Sequence, residues 1–424
     1  MPNMMGDFCG PAAMRSWVLG PSLDYAVADP LATGGVFPSQ VPPEGVYVVS
    51  TVIPGTLPPV DGTTFVYDNF DAFRVDREQG SIGENIPLSV TPGYESIYNQ
   101  PPYAASHTGV VTNTGQDLLE LRRLFVLALP SPAAGVIGRG GKISENDSIL
   151  PQNRVFFDYS FFHNALISPC GAEVHRFMPG AEKTFLNDQM SLQVRVPMGV
   201  SLDNYVSAEG QPTPYSTEFG NIAFTLKGVL RRWQHAMLGA GMALTIPTAD
   251  DIYAVMQDGT PVARIANDSV HLMPYVGMYC EPNDRWYAMG ILQFDVDANG
   301  NRVYVNSAGQ GLNQAGTLSD QTFLYASASV GRWIYRNTQP SRRRLKGIVL
   351  TAEGHYTGTL NSADSVTQDL FCIGDPTYRL HVFDLTLGTH VFWGKTNVGI
   401  GYCTPLTDDR VFDGELRLLA NRYF

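Results

Sequence analysis

Hydrophobic and polar residues alternate along much of the chain after residue 153. Between Met190 and Met198 every second residue is Met, Leu or Val, and the residues between them are Ser, Gln, Arg and Pro. The same period of two recurs at 222–227, 238–246 and 348–353. Because successive side chains of a strand point to opposite faces, each segment predicts a strand with one apolar face and one polar or small face. A soluble β-sandwich would alternate in the same way, so the connections must distinguish the two folds.

The alternating segments and their connections predict twelve strands. We place their starts near residues 153, 174, 190, 221, 236, 270, 286, 322, 346, 380, 396 and 414. The links are alternately short and long: 187–188, 231–234, 282–285 and 394–397 are tight and 337–344 is moderate, whereas 201–219, 249–268, 298–320 and 357–379 are long. Short turns at one end and long loops at the other are typical of outer-membrane barrels, with the short turns on the periplasmic side.

We therefore predict an all-β fold, an antiparallel up-and-down transmembrane β-barrel of about twelve strands over residues 141–424. Residues 1–140 form a Pro/Gly-rich, irregular N-terminal region, which is a plug, a periplasmic extension or a cap. One short helix is predicted within this region: Thr114 to Asp117 fits a capping box, the apolar stretch 118–129 follows, and Pro130 ends it.

Composition agrees with strands that lie between lipid and water. Only 16% of the 424 residues are charged, the mean hydropathy is −0.07, and Gly and Tyr number 42 and 20. No apolar run reaches the ~18 residues that a spanning helix needs. The net charge of −12 and the single short basic run at 342–344 argue against a nucleic-acid partner. Residues 1–20 contain no signal peptide, so we expect one to be removed before residue 1.

Tryptophan positions provide independent support. Trp233, Trp286, Trp333 and Trp393 all lie at strand ends beside the short links. Amphipathic rings are favoured at headgroup depth, so we predict a membrane-interface girdle formed by these four residues together with Tyr423 and Phe424. The alternative is that tryptophan caps hairpins of a soluble sheet.

The final strand, 414–424, has apolar residues at Leu416, Leu418 and Ala420 and ends in Tyr423-Phe424. It resembles the C-terminal signal by which bacterial outer-membrane barrels are recognised for insertion, although Arg422 departs from that pattern. The stretches 151–159, 179–185 and 412–417 also resemble a group of uncharacterised planctomycete envelope proteins. These resemblances imply the bacterial outer membrane as location, and outer-membrane lipid and the barrel-insertion machinery as partners.

If the apolar faces meet lipid, a set of polar and ionisable residues faces the barrel interior. We predict this pore-lining set to be Asp158, Arg195, Lys227, Gln293, Asp295, Glu353, His355, Asp384, His390, Glu415 and Arg417. Such groups can line a wetted pore or form a salt-bridged, closed lumen, and the sequence leaves both open.

The sequence gives only weak signs of a metal site or of catalysis. Asp295, Asp297 and Asn299 have the spacing of a calcium loop, but the twelfth position, Asn306, lacks the bidentate Glu, and a plain Asn-Gly turn explains the segment better. We therefore expect no cofactor, with calcium as the weak exception. No catalytic motif appears, and His355 with Glu353 lies on one strand face without a placed nucleophile, so we predict that the protein is not an enzyme.

The five cysteines show no metal-binding spacing. Cys170 and Cys372 could form a disulfide, whereas Cys280 and Cys403 are expected to be buried small residues; Cys9 is left unassigned.

Two hypotheses on function remain. The first is a porin-like channel for ions or small solutes, gated by the N-terminal region. The second is a structural or anchoring barrel that binds other envelope proteins through that region and the long loops. A homo-oligomer, such as the trimer of porins, is compatible with either.

Overall fold

The structure is a computed structural model that describes residues 2–6, 141–165, 171–207, 213–256, 259–306, 311–337, 344–368, 371–374 and 379–424, and the backbone of four strands before residue 130. All regular secondary structure in the described residues is β-strand. Within the described part of the chain, no helix is long and apolar enough to cross a membrane.

The described residues form twenty-five strands. The first half comprises β1 (Ser16–Ala28), β2 (Val46–Ser50), β3 (Thr64–Tyr67), β4 (Leu118–Leu129), β5 (Arg154–Ala165), β6 (Ala172–Phe185), β7 (Met190–Arg195), β8 (Met198–Leu202), β9 (Tyr205–Ser207), β10 (Tyr215–Phe219), β11 (Ile222–Arg232) and β12 (Ala236–Ile246). The second half comprises β13 (Ile252–Val255), β14 (Pro261–Ile265), β15 (His271–Asn283), β16 (Trp286–Asp297), β17 (Asn301–Val305), β18 (Asn313–Leu318), β19 (Phe323–Arg336), β20 (Leu345–Thr359), β21 (Val366–Gln368), β22 (Phe371–Ile373), β23 (His381–Trp393), β24 (Thr396–Pro405) and β25 (Gly414–Tyr423).

Twelve of these strands form a closed antiparallel barrel. Around the ring the order is β5, β25, β24, β23, β20, β19, β16, β15, β12, β11, β7 and β6, and β6 pairs with β5 to complete the closure. Each predicted start lies within two residues of an observed one. The barrel prediction is confirmed.

Two neighbouring barrel strands, β7 and β11, are interrupted at one end. β8 follows β7 after a break, and β10 precedes β11 before a break. Pro197 separates β7 from β8, because proline has no N–H to donate to the ladder. Its carbonyl instead accepts a hydrogen bond from Gly220 N at 2.9 Å, between β10 and β11. Beyond this point β8 and β10 continue as a hairpin paired to the start of β6.

The two ends of the barrel differ as the links predicted. At the turn after β6, Leu186, Asn187 and Asp188 have φ of 53°, 56° and 60°, the left-handed region that Asn and Asp tolerate best among non-glycine residues. At the opposite end the long links form a five-stranded outer sheet of β18, β17, β14, β13 and β9. Its apolar face packs with β21 and β22 around Ile265 and Phe371.

The N-terminal strands join a second sheet at the long-link end. Its order is β21, β22, β1, β4, β2 and β3, and β1 pairs with β22 through Val18↔Ile373. The predicted helix over 118–129 is wrong, because Leu118–Leu129 is strand β4, which pairs along its length with β1 and over part of it with β2. A short apolar run is compatible with either element, and here two partner strands are present. The capping-box residues before it lie outside the described residues.

The barrel wall separates an apolar exterior from a polar interior. On β15, Leu272, Val276 and Met278 are exposed on the outside, whereas Met273 and Tyr275 are buried inside. The same alternation runs along β16, β19, β20, β24 and β25. A soluble barrel would bury its apolar residues inside, so this pattern is that of a wall surrounded by lipid.

Candidate functional site

All eleven residues that we predicted to face the interior have their side chains in the lumen. Each is exposed by 3% or less. They lie on β5, β7, β11, β16, β20, β23 and β25, as the period of two requires. Their burial means that something fills the space around them, so their role in lining an open pore stays a prediction.

Two of the described segments, residues 2–6 and 141–150, lie in the lumen, and we call them the lumenal plug. Residues 2–6 and 141–149 are buried throughout. The segments bind each other: Met4 N donates to Asp147 O at 2.8 Å, and Asn3 Nδ2 donates to Asn146 O at 3.1 Å. The sequence left a plug as one of three possibilities for residues 1–140 and assigned 141–150 to the barrel, because neither segment has a period that marks its place in the lumen.

Asp147 is the centre of the ionic contacts between plug and wall. Its Oδ1 lies 2.8 Å from Arg154 Nη2 and also bonds Lys227 Nζ, while its Oδ2 lies 2.8 Å from Arg195 Nη2. Glu182 on β6 bonds both Arg154, at 2.9 Å, and Lys227, at 2.9 Å. Buried charges are tolerated only when paired, and these groups are fully paired within one network.

Glu145 forms the second ionic contact of the plug. Its Oε1 lies 2.7 Å from Arg176 Nη2 and 3.5 Å from Arg417 Nη1, and Glu415 lies 2.9 Å from the same Arg417 nitrogen. A side-chain hydrogen bond also joins Asn146 to Asp158 on the wall.

These contacts define a basic half of the wall, formed by β25, β5, β6, β7 and β11. It carries five cations (Arg154, Arg176, Arg195, Lys227 and Arg417) and three acids (Asp158, Glu182 and Glu415), a formal net charge of +2. The plug acids Glu145 and Asp147 supply −2, so this half is neutral only when the plug is present.

The opposite half of the wall carries the acids Asp295, Glu353 and Asp384. Glu353 accepts backbone hydrogen bonds from Met5 N at 2.9 Å and Gly6 N at 2.8 Å, and Thr386 Oγ1 donates to Gly6 O at 3.0 Å. Plug acids therefore face wall cations, and plug N–H groups face a wall acid.

Glycines on the wall leave room for the plug. A Cβ on Gly277 of β15 would lie 2.4 Å from Ile149 Cγ2. A Cβ on Gly388 of β23 or on Gly399 of β24 would lie 2.7 or 3.0 Å from Met5 Cε. A Cβ closer than 3.0 Å forces a neighbouring atom to shift, so Gly277 leaves the space that Ile149 occupies, whereas at Gly388 the flexible end of Met5 can move aside.

Two groupings of serine, histidine and acid occur in the wall or at its rim. Ser269 Oγ lies 2.8 Å from His271 Nε2, and Asp295 Oδ1 lies 2.8 Å from His271 Nδ1. Ser269 Oγ also lies 2.6 Å from Asp297 Oδ1, and its single hydroxyl hydrogen cannot be donated to the imidazole and the carboxylate at once. The other grouping consists of Ser327, His355 and Glu353. Its acid, Glu353, also binds the plug.

The calcium candidate has its oxygens in use by the protein. Asp295 bonds His271; Asp297 Oδ1 accepts from Asn299 N at 3.1 Å and its Oδ2 from Asp320 N at 2.8 Å; and Asn299 Oδ1 accepts from Val270 N at 2.8 Å. These contacts close the Asn-Gly turn, which was the alternative explanation. A different grouping of His271, Asp297 and Asp320 places one ligand atom of each within 4.8 Å of the others. Calcium binding stays a prediction.

The predicted girdle is divided between the two faces of the wall. Trp233, Trp286, Trp393 and Phe424 are exposed near the short turns, where a girdle belongs. Their contact with headgroups stays a prediction.

Trp333 and Tyr423, by contrast, point into the barrel, so assigning them to the girdle was wrong. Trp333 packs on Phe392, with ring centroids 5.4 Å apart, and a Cβ on Gly347 would lie 2.3 Å from the Trp333 ring. Trp333 is an even number of residues from buried Ser329, and Tyr423 is an even number from buried Arg417. The period of two therefore places both on the inner face, and the sequence alone contained this information.

The cysteine predictions are only partly within the described residues. Cys403 is buried and Cys280 is half-buried, and neither is in a disulfide. Cys9, Cys170 and the side chain of Cys372 lie outside the described residues.

Comparisons with known proteins give likenesses of fold. No protein-family model and no curated protein sequence matches the chain. Similar solved structures include an outer-membrane channel from Pseudomonas putida F1, with 13% identity and a TM-score of 0.42 over 65% of this chain and 97% of that one. They also include the translocator domain of the autotransporter NalP from Neisseria meningitidis (10% identity, TM-score 0.41, 66% and 90% coverage) and the NanC porin (7%, 0.36, 64% and 98%).

The closed antiparallel ring, its apolar exterior and its polar interior define an outer-membrane β-barrel. Proteins with this architecture span the bacterial outer membrane. The prediction of fold and location is therefore confirmed by the wall itself.

Proposed function

We propose that this protein is an outer-membrane channel for ions or small solutes that its own lumenal plug holds closed. The observation that carries the proposal is the charge of the basic half of the wall, which among the described residues is balanced by Glu145 and Asp147 of the plug. Without the plug, the lumen is lined by charged groups that water can solvate. No catalytic role is part of the proposal.

The wall does not depend on the plug for its closure. The ring is closed by backbone pairing of β25 with β5 and of β6 with β7, and none of these hydrogen bonds involves residues 2–6 or 141–150. Apart from the three residues 151–153 that join it to β5, the described plug contacts the wall through hydrogen bonds, ion pairs and packing. Displacing it would therefore open a lumen without dismantling the barrel.

Planar-bilayer conductance of purified variants tests the proposal. Deleting residues 1–140 is insufficient, since 141–150 would remain in the lumen, so the informative deletion is 1–150. The matched control replaces residues 7–140 by a short flexible linker and keeps both plug segments. We expect steady single-channel steps from the first deletion and silence from the full chain and the control. Silence from a deletion variant that still shows heat-modifiable gel migration would contradict the proposal.

A second candidate is an anchoring barrel that displays its N-terminal region at the long-link end. The specific observation is that residues 6 and 141 are both held in the lumen, while β1 between them pairs with β22 in a long link. Cell-surface proteolysis distinguishes this candidate: cleavage of the N-terminal region on intact cells, combined with no conductance in any variant, would favour the anchor. Envelope-protein partners, oligomer formation, the insertion machinery and the planctomycete resemblance stay predictions.

A further inference from the structure

The outer face of the barrel carries a groove of 710 Å³ that begins near the short-turn end. Its walls are formed by side chains that project between strands, among them Leu350, Leu387 and Ile400. Its floor is shallow because Ala352 and Thr389 are small. Most of the side chains that line the groove are apolar, so the groove fits a hydrocarbon chain lying along the wall.

Arg332 lies in this groove on the lipid-facing surface. Its guanidinium is 5.5 Å from the ring centroid of Trp286, which also lines the groove. Among the described residues no carboxylate pairs with Arg332. An arginine on the lipid face is costly unless it reaches headgroup depth or an anion, and tryptophan beside it marks that depth.

Three more cations are exposed at the same short-turn end of the barrel, on or beside strands that form the groove. Lys346, Lys395 and Arg422 are exposed at the short-turn ends of β20, β24 and β25. Arg422 points outward and donates to Thr396 Oγ1 at 3.2 Å. Cations above an apolar groove complement a molecule with an anionic head and an apolar chain.

We propose that this groove binds an acidic phospholipid of the periplasmic leaflet, with its phosphate at Arg332 and one acyl chain over Ala352 and Thr389. The site lies on the outer wall, so it is separate from the plug and does not depend on whether the lumen conducts.

Native mass spectrometry of the full chain in non-ionic detergent tests the site. The probes are dioleoylphosphatidylglycerol and dioleoylphosphatidylcholine, which share acyl chains and differ in headgroup charge. We expect one bound lipid with tighter affinity for the glycerol headgroup. Arg332→Gln should weaken that affinity about fivefold, which corresponds to about 1 kcal/mol for one cation near a membrane surface, and Arg332→Lys should retain it.

The chain offers a matched control at the same rim. Arg231 lies 5.3 Å from the ring centroid of Trp233, close to the 5.5 Å between Arg332 and Trp286, but does not line the groove. Arg231→Gln should leave the affinity unchanged. Equal affinity of the wild type for both lipids, or an equal loss in both arginine variants, would overturn the proposal.

A second pair of variants tests the acyl chain. Ala352→Phe fills the groove and should weaken both lipids alike, whereas Ala328→Phe, on the outer face of β19 outside this groove, should not. Excess inorganic phosphate distinguishes a lipid from a free anion. If phosphate displaces phosphatidylglycerol mole for mole, the site takes free phosphate and the lipid proposal fails.

Discussion

Replacing Gly277 by valine should loosen the plug while leaving the barrel closed. Gly277 faces the lumen on β15, and a Cβ there would lie 2.4 Å from Ile149 Cγ2 of the plug and 2.8 Å from Gly290 O of the neighbouring strand β16. Ile149 is fully buried, so the new side chain has no space to occupy. Either the wall or the plug must move, and the plug lacks the continuous backbone ladder that holds β15 between β12 and β16.

The size of the effect follows from the cost of overpacking. Inserting methyl groups into a packed core costs about 1–3 kcal/mol. If this cost falls on the closed state of the plug, the population with the plug displaced rises about 5- to 150-fold.

Cysteine labelling measures that population directly. Ser148 is fully buried beside Ile149, so Ser148→Cys, in a chain whose five natural cysteines are replaced by alanine, should react slowly with a maleimide. Adding Gly277→Val should raise the labelling rate by the same 5- to 150-fold factor.

Gly290 is the matched control. It lies on the neighbouring strand β16, and a Cβ there would have no atom within 4 Å. Gly290→Val should leave the labelling rate unchanged. An unchanged rate in Gly277→Val, with heat-modifiable migration intact, would refute the idea that wall glycines accommodate the plug; so would an equal rise in both variants.

Two further predictions concern charge. Asp147→Asn leaves three buried cations without their shared acid and should lower the free energy of unfolding in urea and detergent by about 3–5 kcal/mol, whereas Asp188→Asn at an exposed turn should change it little. In the outer sheet, the hydrogen bonds from Arg302, at 2.7 and 2.8 Å, lower the pKa of Asp268. The resulting stability is therefore present above about pH 4 and is lost as the pH falls through the lowered pKa. Limited proteolysis of this sheet against pH should show that loss, and Arg302→Gln should resemble the acid state at every pH.

The barrel could be predicted strand by strand because its evidence is local. A strand with lipid on one side and a polar interior on the other must alternate with period two, and short turns need Asn, Asp or Gly within a few residues. Both signals lie within about ten residues of chain, as at Met190–Arg195 and the turn before it. The inward direction of residues such as Lys227 and Glu353 follows from the same count.

The errors arose where the deciding contact is distant in sequence. Leu118–Leu129 satisfies a helical pattern locally, but β1, about a hundred residues earlier, supplies a partner strand. Trp333 was assigned to the girdle by residue type, whereas its face is decided by alternation and by the space at Gly347.

The sequence by itself therefore determined the wall: its strands, its turns and which residues point inward. Only the tertiary structure decided what the inward residues contact. Asp147 meets Arg154, Arg195 and Lys227 from three different strands, so no periodicity of any one segment could reveal the network. The plug shows no period because its residues contact several wall strands and each other, and its position depends on charges and glycines up to several hundred residues away.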